Sequence, residues 1–88
     1  MKVVNLRKDK YDVYIGRGSL FGNPYKITKE HNRQIVIEWY REWFYNQLKD
    51  PTFKSEVEKL RGLTLGCYCK PQHCHGDIIV EFLENSRE

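Results

Sequence analysis

The residues able to do chemistry crowd into one run near the end of the chain: Leu63-Thr64-Leu65-Gly66-Cys67-Tyr68-Cys69-Lys70-Pro71-Gln72-His73-Cys74-His75-Gly76. All three cysteines and two of the three histidines fall within it. Three thiolates and an imidazole are the ligand count of tetrahedral zinc, so Cys67, Cys69 and Cys74 with His75 or His73 form one candidate set. Their spacing, C-x-C-x4-C-H, argues against zinc, because zinc modules usually draw ligand pairs from two separated knuckles. The second chemistry is nucleophilic or acid–base. Cys74 is expected at a helix start, between two histidines and near Lys70, surroundings that favour a thiolate. His75 then serves as acid or base. Asp77, in the first helical turn, orients a histidine or complements the dipole. A blander account exists for each residue: Cys74 as a packed cap, His75 bonded to backbone, Asp77 as an ordinary helix-start carboxylate. It is the better account of any one of them, and the poorer account of the cluster.

Three elements must position these groups. Leu63, Leu65, Cys67 and Cys69 alternate as one face of a buried strand, on which Cys67 packs as a small apolar residue. Pro71 ends that strand. A helix follows from about His75 to Leu83, with Ile78, Ile79, Phe82 and Leu83 buried, and its start offers unpaired N–H groups to an anion. The tail from Glu84 to Glu88 is polar and is expected to fray.

Upstream, Val3 to Arg7 and Tyr11 to Arg17 read as two short strands, joined through Lys8-Asp9-Lys10 as an antiparallel hairpin. Arg17 either ends the apolar face of the second strand to reach a partner or lies in solvent just past it. Gly18-Ser19-Leu20-Phe21-Gly22-Asn23-Pro24 is an irregular loop, able to bring backbone N–H groups to a ligand or simply to turn into a helix. From about Glu30 to Lys49, Val36, Trp39, Tyr40, Trp43, Phe44, Gln47 and Leu48 recur at helical spacing. This aromatic stripe reads as a core face rather than a platform for bases, with Arg33, Glu38, Arg41 and Glu42 on the wet side. Asp50-Pro51 caps a second helix, with Phe53, Val57 and Leu60 apolar, ending near Arg61-Gly62.

The order ββααβα predicts an α/β domain: a mixed sheet of three to four strands with helices packed on it. The third strand arrives after a crossover and is expected parallel to the first. Ligands of such sheets bind beyond the carboxyl ends of the strands. Arg17 and the 18–24 loop are therefore expected to share one cleft with the segment from Cys69 to Asp77.

Size and charge bound the function. Eighty-eight residues make one domain, residues 1–88, and 40% hydrophobic content with 14% aromatics excludes a disordered chain. A net charge of +3 permits nucleotide or nucleic-acid binding but lacks the dense basic stripe of a duplex binder. An odd, clustered set of cysteines fits a reducing cytosol. With no signal region and no run of membrane-spanning length, a soluble cytoplasmic protein without a membrane partner is expected.

Two stretches resemble a known family. Val4-Asn5-Leu6-Arg7, Tyr14-Ile15-Gly16-Arg17-Gly18-Ser19 and Gly22-Asn23-Pro24 resemble the opening of domain of unknown function 4326. Cys67 to Asp77 resembles its closing motif, C-x-C-x-P-x-x-C-H-G-D. The family is found largely in phages and bacteria and has no assigned activity, so the resemblance implies host cytoplasm if the chain is viral. Its motif positions fall on Arg17, Gly18, Gly22, Asn23, Pro24, Cys69, Pro71, Cys74, His75, Gly76 and Asp77, in agreement with the cleft drawn from topology.

The expected function is binding, with or without modification, of a small anionic ligand such as a nucleotide or a nucleic-acid end. Cys74 supplies the thiol, His75 the acid or base, and Asp77 their support. Arg17 and Lys70 hold the anion and Asn23 orients it, beside Gly18, Ser19, Gly22, Pro24 and Cys69. The alternative is a module stabilised by Zn2+ through Cys67, Cys69, Cys74 and His75 that docks on a host protein or other macromolecule.

Overall fold

The computed structural model describes residues 1–68, 70 and 72–85. The elements run β1 (Lys2–Asn5), β2 (Val13–Tyr14), α1 (Arg33–Gln47), α2 (Pro51–Glu58), β3 (Thr64–Cys67) and α3 (Gly76–Asn85). Among the described residues the sheet has three strands in the order β1-β3-β2, and both outer strands pair parallel with β3. Val3 and Val13 both lie opposite Leu65, and Asn5 lies opposite Cys67.

The crossover strand is thus parallel to the first, as its connection length required. The sheet is not mixed, and the expected antiparallel hairpin does not form. The reason is that β3 inserts between β1 and β2, so each outer strand gives its ladder to β3. Asn5 O accepts N–H bonds from Lys8 at 2.9 Å and Asp9 at 3.1 Å, which turns the chain out of β1. The connection then crosses the face of β3 at Gly66, where an added Cβ would lie 2.7 Å from Cγ of Tyr11. Asp12 re-enters the sheet by donating its N–H to Thr64 O at 2.8 Å, while its carboxylate accepts the Thr64 N–H at 2.7 Å. The second strand is shorter than expected. Only Val13–Tyr14 is strand, although Ile15 N–H still reaches Gly66 O at 3.0 Å.

The helices cover the other face. Asn32 caps α1 by accepting the Ile35 N–H at 3.0 Å. The helix starts at Arg33 rather than near Glu30 because Thr28 and His31 close a turn on each other first. Asp50 caps α2 through the Thr52 N–H at 2.9 Å with Pro51 at the first position, as read from the sequence. Ile37, Tyr40 and Phe44 of α1 meet Phe53 and Val57 of α2, Leu65 of β3, and Ile78, Ile79 and Leu83 of α3 in one core. Tyr40 is fully buried and donates its hydroxyl to Phe21 O at 2.8 Å. Burial, and secondarily the neighbouring Cys74, pushes its phenol pKa up. Trp39 stays partly exposed, so the aromatic stripe is core along most of its length but not all of it. No helix of the described residues is long and apolar enough to cross a membrane.

The crossing at Gly66 is testable. Gly66→Ala should lower unfolding stability by about 1–3 kcal/mol in urea titration, since the new methyl overlaps the Tyr11 ring base. Adding Tyr11→Ala should recover most of that loss.

Candidate functional site

Two segments meet at the carboxyl edge of the sheet. The first leaves β2 as a loop held by its own polar groups. Ser19 donates from Oγ to Gly16 O at 2.7 Å and accepts the Phe21 N–H at 3.3 Å. Gly18 has φ of 95° and Gly22 packs against the Gly16 carbonyl. The Tyr14 hydroxyl donates to Arg17 O at 2.9 Å. Asn23 ties the loop to α1 by donating to Val36 O at 3.2 Å, and its Oδ1 accepts the Tyr25 N–H at 2.9 Å. These contacts make Ser19 and Asn23 parts of the loop's frame. Pro24 is exposed beside them.

The second segment is the start of α3. Cys74 Sγ accepts the Gly76 N–H at 3.2 Å, and the Asp77 carboxylate accepts the Cys74 N–H at 3.1 Å. The thiol and the carboxylate thus each take one backbone N–H of the helix start. Gly76 has no room for a side chain: a Cβ there would lie 2.6 Å from Ile15 Cδ1 and 3.0 Å from Val3. The helix therefore starts directly against the sheet. His75 is buried, and its Nε2 lies 2.6 Å from Ile15 O. A carbonyl only accepts, so Nε2 carries the proton. Cys67 and Cys74 are both buried with their sulfurs 3.1 Å apart.

Asp77 gathers the charges outside this core. It takes Lys70 Nζ at 2.6 Å on one oxygen and His73 Nδ1 at 2.7 Å on the other. Partial burial pushes its carboxyl up, but the hydrogen bonds and charge of Lys70, the Cys74 N–H and His73 outweigh that and hold it below the ordinary value. The histidine that Asp77 orients is thus His73, not His75.

Beneath the loop lies a cleft of about 540 Å³. Gly16, Arg17 and Asn23 line it from the loop, and Cys67, Tyr68, Cys74 and His75 from the strand end and helix start. Tyr25, Lys26, Ile27, Arg33, Val36 and Ile37 complete it. The expected convergence at the sheet edge is thus present for Arg17, Asn23, Cys74 and His75. Gly18, Ser19, Gly22, Pro24, Lys70 and Asp77 are not on the wall of this cleft, and Cys69 and Pro71 lie outside the described residues. No group of three or more His, Cys, Asp or Glu among the described residues could hold a metal ion. Sequence reasoning missed Lys26 and Arg33, and it assigned Arg33 to the wet side. A signal was present: Arg33 opens α1 at the positive end of its dipole, where a cation is out of place. There its Nη1 donates to His73 O at 3.3 Å.

The Asp77 cluster gives a prediction with a sign. A carboxyl whose folded pKa is depressed adds stability that is present above its unfolded value, 3.8, and lost as pH falls through the folded one. Asp77→Asn should cost about 1–2 kcal/mol at pH 7. The gap to the parent chain should narrow in thermal unfolding as pH is lowered below 3.8.

Comparison with known proteins places the chain among relatives without a known activity. It is 41% identical over 83 residues to the "Uncharacterized 12.4 kDa protein in nrdA-td intergenic region" of Enterobacteria phage T4, covering 93% of this chain and 76% of that protein. No solved structure matches it. Residues 2–85 match the family described as Domain of unknown function (DUF4326), and the chain belongs to that family.

Proposed function

We propose that the chain binds a small phosphate-bearing anion of the nucleotide class in the cleft at the carboxyl edge of the sheet. One observation carries the reading. Arg17, Lys26 and Arg33 line the cleft, and among the described residues no Asp or Glu does. The salt bridges among the described residues use none of these three cations. The walls suit a nucleoside better than a bare ion, since Tyr25 and Tyr68 stand beside Ile27, Val36 and Ile37. The volume falls within the usual range for a small-molecule site, about 300–1,000 Å³.

The reading is one of binding without a covalent step. Cys74 is 1% exposed and caps α3, and His75 Nε2 is committed to the Ile15 carbonyl. Both residues hold the floor of the cleft in place. Lys70 is paired with Asp77, so the anion is assigned to Arg17 with Lys26 and Arg33 instead.

Calorimetric titration with deoxycytidine 5′-monophosphate at low salt tests this. Saturable binding is expected, and Arg17→Ala or Arg33→Ala should each weaken it about tenfold, the worth of one charge-assisted hydrogen bond. A folded parent protein that gives no saturable heat at millimolar nucleotide would overturn the proposal. So would affinity unchanged in both variants.

A further inference from the structure

We infer that this cleft is one end of a track for single-stranded nucleic acid, laid across the carboxyl ends of all three strands. The inference rests on the cleft's taking a nucleotide. What extends it is a second depression, of about 420 Å³, at the end of β1. Lys8 lines it with Asn5 and Asp9, and so does Lys70, whose ammonium is held by Asp77. Because β3 lies between β1 and β2, the two depressions flank the end of β3. Tyr68 stands there, 55% exposed, and belongs to the wall of the first cleft. The Arg7 guanidinium lies 5.1 Å from the centre of its ring, and Tyr14 meets it edge-on at 6.2 Å.

The edge therefore presents the cations of the cleft, then the exposed Tyr68 ring with Arg7 on it, then Lys8. That is the alternation a single strand needs, with phosphates on the basic ends and a base on the ring. Neighbouring strands lie about 4.8 Å apart, so the outer strand ends are about 10 Å apart, room for a short stretch of single strand. On the far side of the cleft the chemistry reverses. Trp39 packs on Tyr25 at 5.3 Å, but Glu38 and Glu42 flank it, so a polyanion is directed past Tyr68.

Fluorescence anisotropy with a labelled single-stranded hexadeoxycytidylate, beside calorimetry with the mononucleotide, separates the two readings. The hexamer should bind at least about tenfold more tightly, with an affinity that falls by about 0.7 log unit per log unit of salt for each phosphate contacted. Arg7→Ala with Lys8→Ala should remove most of that advantage and leave mononucleotide binding unchanged. Tyr68→Ala should weaken the hexamer about tenfold, and Tyr68→Phe should restore it. If the mononucleotide binds and the hexamer binds no more tightly, the track is wrong and the cleft reading stands. The track is also wrong if the Arg7 and Lys8 substitutions leave hexamer affinity unchanged. If neither probe binds, both readings fall.

Discussion

The start of α3 is pinned to the end of the sheet, and most of the molecule's arrangement follows from that contact. Two features make the contact possible. Gly76 gives no side chain where the helix meets Ile15 and Val3. His75 then donates to the Ile15 carbonyl, a backbone acceptor left over where β2 stops. A buried carbonyl without a donor costs about 1–3 kcal/mol, so the pairing both satisfies the strand end and fixes the helix. With α3 set this way, Cys74 reaches Cys67 across the gap and Tyr40 packs edge-on against the His75 ring at 5.1 Å. The cleft is the space left between this anchored junction, the 16–24 loop and α1.

This explains why one sequence motif carries so many unusual residue types without requiring them all to react. Cys74 and Asp77 close the helix start on each other, His75 locks the helix to β2, and Gly76 sets the distance. Each does a structural task that a more common residue would do less compactly. A serine cap would bring a smaller, more polar atom against Cys67. A side chain at Gly76 would push α3 off Ile15. The rest of the cleft wall is then built from other positions, among them Arg17, Lys26, Arg33, Tyr25 and Tyr68.

The sequence was most legible where the determinants are local. Asp50-Pro51 announces the start of α2, and the spacing of Val36, Tyr40 and Phe44 marks the buried side of α1. The parallel pairing of β1 with β3 followed from the length of the crossover. The location of a cleft at the strand ends followed from the same topology. The position of β2 was not legible, because the short break at Lys8-Asp9-Lys10 suits a hairpin as well as a crossing. Contacts between distant parts of the chain, Gly66 beneath Tyr11 and Asp12 on Thr64, decide between them. Lys26 and Arg33 escaped for a similar reason. They belong to a loop and a helix start whose relation to the Cys-His segment exists only in three dimensions, through Asn23 on Val36 and Arg33 on His73.

The strand order also dictates a sequence of events in folding. The central strand is the last of the three to be synthesised, and both outer strands bond to it and not to each other. Val3 and Val13 must both wait for Leu65, so no part of the sheet can form from the first sixty or so residues alone. Until β3 is added, a nascent chain can hold only its helices. The sheet, the pinned helix start and the cleft then arise together, in one late step whose loop-closure entropy is paid by the burial of Leu65, Cys67 and the α3 face. Such a chain has no half-built cleft. The cleft and the folded state are reached at the same moment.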